Sequence, residues 1–244
     1  MNQQHVAQRQ GGKLLADIKK KLVAASKVST KLEDLDKLAE KLLLETGGQP
    51  SFKMVPGYHW STCININSGI VHGIPKGTLK DSDLVTVDVG LYYQGYHTDT
   101  STSFIVGSQN QQKQAFLKAG KKTLSKAIKR ATAGNHIWDI SHTIQKNIEA
   151  AGFSVVRNLT GHGVGKELHE DPAIPCYTNR PRLNTPILKD GQVIAVEVMY
   201  CQGHWATITQ QDGWTISTSD GKLSAVFEET LIVTKGKPEV VTQN

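Results

Sequence analysis

The sequence predicts an α/β fold of the mixed α+β kind, in which a helix-helix-sheet unit occurs twice and both copies share one antiparallel sheet. Two internal echoes and the lack of a linker predict it. Amphipathic segments come in two pairs, and the second segment of each pair superimposes at an offset of about 105 residues: Leu35 falls on Ile140, Ala39 on Ile144, Leu43 on Ile148 and Gly47 on Gly152. The β-rich runs Leu84-Val85-Thr86-Val87-Asp88-Val89 and Val193-Ile194-Ala195-Val196-Glu197-Val198 repeat at about 109 residues. Short apolar segments match by chance; the acid at the same place in both runs is what favours duplication. No composition shift divides the 244 residues, so residues 11–244 are expected to form a single domain, with 1–10 a frayed start.

In chain order, apolar spacing predicts helices over 12–25 and 32–44, the second capped by Ser29, Thr30 or nearby charges. Strands over 84–91 and 96–106 follow, joined at Gln94-Gly95, where glycine permits the positive φ of a tight hairpin. Helices over 111–131 and 137–150 repeat the opening pair, and the Pro-, Gly- and Asn-rich stretch 163–190 has the length of a functional loop over a site. Strands around Glu197 and over 225–233 close the sheet.

Composition narrows the function. With 38% hydrophobic and 20% charged residues and no apolar run near eighteen residues, the chain is neither disordered nor a membrane span. The start MNQQHVAQRQGGK lacks a secretory h-region, and the three cysteines Cys63, Cys176 and Cys201 close no disulfide framework, so a cytoplasmic location is expected. The net charge of +6 arises from lysines dispersed along helices without stacking aromatics. That pattern favours a solvated cationic surface over a nucleic-acid interface and predicts no sequence-specific nucleic-acid partner.

The chemistry is concentrated in acids. If Gln94 and Gly95 are the turn, Tyr93 faces Tyr96, Gly90 faces Asp99 and Asp88 faces Ser101. Asp88 and Asp99 then become diagonal neighbours on one sheet face, roughly 7 Å apart at the backbone. Carboxylates buried side by side repel and desolvate badly, so such a pair raises a pKa or admits a cation. Aspartates at exposed turn ends are the plainer alternative. Glu197 lies in a strongly apolar run, where an unpaired ionised acid would cost several kcal/mol. His162 sits between small residues in Gly161-His162-Gly163-Val164-Gly165, with His169-Glu170-Asp171-Pro172 just beyond, and no H-E-x-x-H helix occurs. Strand alternation lets only one of Glu228 and Glu229 share a site, and periodicity leaves that choice open. Four carboxylates and one imidazole suit an oxygen-rich centre of Mn, Fe or Co, with Zn also accommodated.

Taken in order, His72-Gly73-Ile74-Pro75, Val87-Asp88-Val89, His97-Thr98-Asp99-Thr100, Gly161-His162-Gly163-Val164-Gly165, Glu197 and Glu228 resemble methionine aminopeptidase of the short bacterial type (type I), in the pita-bread metallopeptidase family. The resemblance runs from about Gly11 to Val233. It implies the pita-bread fold, with duplicated halves around a curved antiparallel sheet and two divalent metal ions between them. Asp88, Asp99, His162, Glu197 and Glu228 resemble the metal ligands, with Asp99 and Glu228 bridging. Glu197 would also move a proton, and His72 and His169 would be catalytic, substrate-binding histidines that are not ligands. Tyr58, Cys63 and Trp214 resemble the pocket for the methionine side chain, whereas His97 is expected on the hairpin surface.

The implied activity is removal of N-terminal methionine from peptides and nascent proteins through a metal-activated bridging water. A peptide or nascent-chain N-terminus is the expected partner, a ribosome is a candidate one, no membrane is involved, and the protein is expected to be a monomer. Several positions depart from the family pattern. The Tyr58–Cys63 stretch is shorter than the family's, and the second pocket aromatic usual there is either missing or replaced by Trp60. Leu168 precedes His169 where an aromatic is usual, Val198 replaces a proline after Glu197, and Asn67-Ser68-Gly69-Ile70-Val71 replaces an acidic segment before His72. The alternatives are an X-Pro aminopeptidase or prolidase, disfavoured by the lack of a large preceding domain, and a catalytically silent binding protein of the same fold.

Overall fold

Each half of the chain folds its amphipathic segments onto one face of a shared sheet. The computed structural model describes residues 2–243. Its helices are α1 (Gln3–Ala25), α2 (Leu32–Glu45), α3 (Gln111–Ile128) and α4 (Ile137–Ala150). Its strands are β1 (Gln49–Pro50), β2 (Thr62–Ile66), β3 (Gly69–Val71), β4 (Leu84–Tyr93), β5 (Tyr96–Ile105), β6 (Ser154–Val155) and β7 (Thr160–Gly163). They continue with β8 (Glu170–Pro175), β9 (Val193–Cys201), β10 (Thr207–Thr209), β11 (Ile216–Thr218), β12 (Ser224–Ile232) and β13 (Glu239–Val240).

The main sheet runs β1-β4-β5-β12-β9-β7-β8, with β2 on β4, β6 on β9 and β13 on β12. Its centre, β4-β5-β12-β9, is a palindrome of the two halves: β4 and β9, with the matched acids Asp88 and Glu197, lie outside their partners β5 and β12, and the halves meet between β5 and β12. α1 packs on β4 and β5, and α3 on β9 and β12. The aligned residues Leu35, Ala39, Leu43, Ile140, Ile144 and Ile148 are all buried in the cores beneath these helices. Gly47 and Gly152, the aligned punctuation, carry φ of 80° and 82° in the left-handed region that ends each helix.

Three expectations change. Residues 3–10 are helical rather than frayed: Asn2 caps the Gln4 amide, and the buried Gln8 side chain donates to the carbonyls of His97 and Val164. Neither Ser29 nor Thr30 caps α2, which starts at Leu32 as expected: Ser29 is turned to φ 70°, the Thr30 hydroxyl donates to the Ala25 carbonyl, and the N-cap Lys31 makes no side-chain bond. Glu33 and Asp34 face its positive end instead. The stretch 163–190 is partly regular, since β8 returns along β7 in a hairpin and Arg182–Asn184 forms a 3₁₀ turn. All three cysteines are free and buried, and among the described residues no helix is long and apolar enough to cross a membrane.

Helix and sheet approach closely at Gly120 of α3. A Cβ there would lie 2.5 Å from the ring of Tyr200, whose hydroxyl donates to the Phe116 carbonyl at 2.6 Å. Gly120→Ala gains helix propensity of about 1 kcal/mol but overpacks a full core, typically costing about 1–3 kcal/mol. The variant is expected to melt a few degrees below the parent in calorimetry.

Candidate metal centre

Sheet register builds the site. β4 and β5 pair Tyr93 with Tyr96, Gly90 with Asp99 and Asp88 with Ser101, the hairpin expected from Gln94-Gly95. Ser101 in turn pairs with Glu228, Glu228 with Glu197, and Asp88 with Cys63. Cys63, Asp88, Ser101, Glu228 and Glu197 therefore form one row across five strands, all on the face away from the helices. Two residues along β5 from Ser101, Asp99 returns to the same face. His162 pairs with Ala195, which brings its imidazole beside Glu197 and Glu228. Glu229, next to Glu228, points to the helix side and pairs with Lys19 at 3.0 Å. Alternation thus settles which glutamate faces the site.

Ligand atoms of Asp99, His162 and Glu228 lie within 4.8 Å of one another. Asp88 and Glu197 line the same cavity of about 170 Å³. All five residues are well enclosed, and no lysine or arginine lines the cavity among the described residues. Burial pushes the carboxylic acids up: Asp88 to about 7, and Asp99, Glu197 and Glu228 well above the usual range, each further raised by its acidic neighbours in the last three cases. Burial also holds His162 neutral, down to about 4.

These groups fit divalent metal. The His162 Nδ1–H donates to the Gly163 carbonyl at 2.8 Å, so the Nε2 lone pair faces Glu228 Oε1 at 3.9 Å. Two acceptors opposed in this way are reconciled by a proton on Glu228, as its raised pKa provides in the metal-free protein, or by a metal cation between them. Asp88 Oδ1 and the Ser101 hydroxyl are buried without a hydrogen-bond partner on the same face. An oxygen-rich set completed by one imidazole matches hard or borderline divalent ions rather than a thiolate site.

The other candidates gather around the same cavity. His72 lines it with φ 56°, a conformation that costs a non-glycine residue about 1 kcal/mol or more and is retained where geometry demands it. His169 stacks edge-on to His162 at 4.5 Å between centroids. Burial lowers the pKa of both His72 and His169. The far end is apolar: Tyr58, Cys63 and Trp214 meet Phe52, Val55 and Leu168. The Tyr58 hydroxyl is spent on the Thr62 carbonyl at 2.8 Å, leaving its ring to the cavity, and burial beside Asp88 keeps the Cys63 thiol protonated. Trp60 packs behind Tyr58 at 5.2 Å and is not part of the lining.

His97 is not a surface residue. It is 3% exposed, its Nδ1 meets the Ser51 hydroxyl at 2.9 Å, and its amide donates to the Gly165 carbonyl, because the 164–168 loop folds over the end of the hairpin. Sequence reasoning missed Phe52, Val55, Leu159 and Met199 in the lining. Phe52 and Val55 sit on or beside a three-residue 3₁₀ turn too short to show periodicity, while Met199 looks like any other residue of an apolar strand.

Comparisons with known proteins agree with this geometry. The sequence profile of metallopeptidase family M24 matches residues 6–235. The methionine aminopeptidase of Clostridium acetobutylicum is 38% identical over 236 residues, covering 96% of this chain and 94% of its own. Methionine aminopeptidase 1 of Bacillus subtilis is 37% identical with the same coverage. The crystal structure of methionine aminopeptidase from Thermotoga maritima superimposes with a TM-score of 0.96 at 33% identity, over all of this chain and 98% of that one. Prolidase from Pyrococcus furiosus shares the fold at a TM-score of 0.78 and 19% identity, with this chain covering 65% of it. A duplicated sheet with acids at matched positions, a family match over nearly the whole length and close relatives of equal size together make the chain a member of metallopeptidase family M24, on its methionine aminopeptidase branch.

Proposed function

We propose that the protein is a metal-dependent methionine aminopeptidase that removes N-terminal methionine from peptides and nascent proteins, with the chain from α1 onward as a single catalytic domain. The observation that carries the reading is a row of acids and one imidazole lining a small cavity whose other walls are largely apolar. A cavity of about 170 Å³ accommodates one side chain rather than a length of chain, which suits an exopeptidase. Its lining of Tyr58, Cys63, Leu168, Phe52 and Trp214 suits an unbranched thioether.

Asp88, Asp99, His162, Glu197 and Glu228 would hold two divalent ions of Mn, Fe, Co or Zn. The chemistry that such ions supply is acidification of a water and polarisation of the scissile carbonyl. Around it, the chain's own groups act on substrate. Neutral His72 and His169 each keep one N–H to donate to the carbonyl oxygen as charge develops there. Glu197, which faces the site from β9 beside Glu228, would accept a proton and pass it toward the leaving amine. The apolar end excludes water and fixes the first residue, so that the free amine meets the carboxylates.

Product analysis after incubating manganese-loaded protein with Met-X peptides and X-Pro controls is expected to show release of methionine alone. Cleavage of the X-Pro peptides in preference would overturn the assignment. Asp99→Asn and Glu228→Gln are expected to lose activity by at least about a hundredfold along with metal uptake, followed by calorimetric titration. His72→Ala and His169→Ala should instead lower kcat by about 10²–10³ while melting temperature and metal content stay near the parent's.

Metal-free protein should also show a diagnostic pH dependence. Asp88 has a folded pKa near 7, above its unfolded value, so its protonated form stabilises the fold at low pH and that stability is lost as pH rises toward and through 7. Metal-free parent is expected to lose stability relative to Asp88→Asn between about pH 4 and 7, measured as the difference in melting temperature across that range. A pH-independent difference would exclude a buried, proton-holding Asp88.

A further inference from the structure

The two residues proposed to bridge the metals come from different halves of the molecule. Asp99 is on β5 and Glu228 on β12, the strands that meet at the centre of the sheet. The ladder joining them is short, with register pairs only at Glu228–Ser101 and Glu229–Thr100 among the described residues. Backbone pairing alone is a thin hinge on which to fix the separation of two ligands.

A side-chain network on the helix face reinforces that junction. Next to the ligands in sequence, Thr100 and Glu229 point away from the site and are buried. Lys19 Nζ, on α1, donates to the Thr100 hydroxyl at 2.5 Å and to Glu229 Oε1 at 3.0 Å. The Thr100 hydroxyl has one proton to give, and reaches the Glu228 carbonyl at 2.9 Å or Glu229 Oε2 at 3.1 Å. From the last residues of the chain, the Thr242 hydroxyl donates to Glu229 Oε2 and accepts from the Thr230 amide, and Gln243 Nε2 reaches Glu229 Oε1 at 3.1 Å. Thr230 completes the circuit: its hydroxyl accepts from the Asp99 amide at 2.9 Å and lies 2.8 Å from the Asp99 carbonyl. Both ligand backbones are thereby tied to one carboxylate and one ammonium.

We propose that Lys19 and Glu229 are a positioning pair, completed by Thr242, that locks β5 against β12 from behind and so sets the Asp99–Glu228 spacing on which metal affinity depends. This rests on the reading of Asp99 and Glu228 as metal ligands. Neither Lys19 nor Glu229 touches substrate. Both act through the strands that carry the ligands, as outer partners of a metal site do when they orient its inner donors.

The sign of one substitution separates positioning from charge. Removing a nearby cation strengthens cation binding by Coulomb's law alone, so a simple electrostatic role predicts tighter metal in Lys19→Met. A positioning role predicts the reverse. Calorimetric titration of Mn(II) into metal-free protein is expected to show binding weakened by about tenfold or more in Lys19→Met and in the charge-neutral Thr242→Val. Lys20→Met, which removes the same charge from an exposed neighbour, should remain within about twofold of the parent. Cobalt-loaded Lys19→Met and Thr242→Val should also show altered visible absorption at saturating metal. Lower melting temperature with unchanged Mn(II) affinity, or tighter binding in Lys19→Met, would overturn the proposal. If Lys19→Met does not fold, as near-ultraviolet circular dichroism would reveal, Thr242→Val decides on its own. A parent protein that binds no Mn(II) would overturn the reading of the site itself, and this proposal with it.

Discussion

Like charges buried on one sheet face are the constraint on which the rest of this molecule is built. Asp88, Asp99, Glu197 and Glu228 share a face with little solvent, and each is pushed upward by burial. In an apolar interior such a cluster is tolerated only if protonated or balanced by cations. The opposite face spends its packing on that arrangement. Val87 and Val89, flanking Asp88, and Val196 and Val198, flanking Glu197, lie in the cores beneath the helices. Hydrophobic burial on one side of each strand holds an electrostatically unfavourable row on the other.

Much of this was legible because strand alternation leaves a strong trace. A lone acid among β-branched residues has few explanations, and two of them at matched positions imply a shared site. The Gln94-Gly95 turn then fixed the register, and with it the sharing of one face by Asp88 and Asp99. The same rule separates Glu228 from Glu229 only once the pairing of β12 with its neighbours is known, which is why the sequence left that choice open. The helix pairs were equally visible, since Leu35, Ala39 and Leu43 and their counterparts in α4 lie wholly on the buried stripe.

What escaped depended on contacts between distant segments. Gln8 carries no pattern that marks it as buried, yet it joins the carbonyls of His97 and Val164 and thereby turns an expected loose end into structure. His97 looked like a hairpin residue until the 164–168 loop covered it. Lys19 reads as one more cation on a lysine-rich helix. Only the fold shows it meeting a buried carboxylate. Local propensity determines where elements lie, while these side chains take their meaning from tertiary partners.

The palindromic strand order has a consequence for how the molecule comes into being. β12 lies in the interior of the sheet, between β5 and β9, although it is the last long strand to be synthesised. A growing chain that stops before residue 224 holds most of the acids but leaves β5 and β9 as two open edges facing each other. Such edges invite foreign strands, and although β9 is near β12 in the chain, the β5–β12 closure joins segments over a hundred residues apart, the kind of non-local pairing that slows folding. Until β12 pairs with both neighbours, those two edges are where such a chain is most open to mispairing.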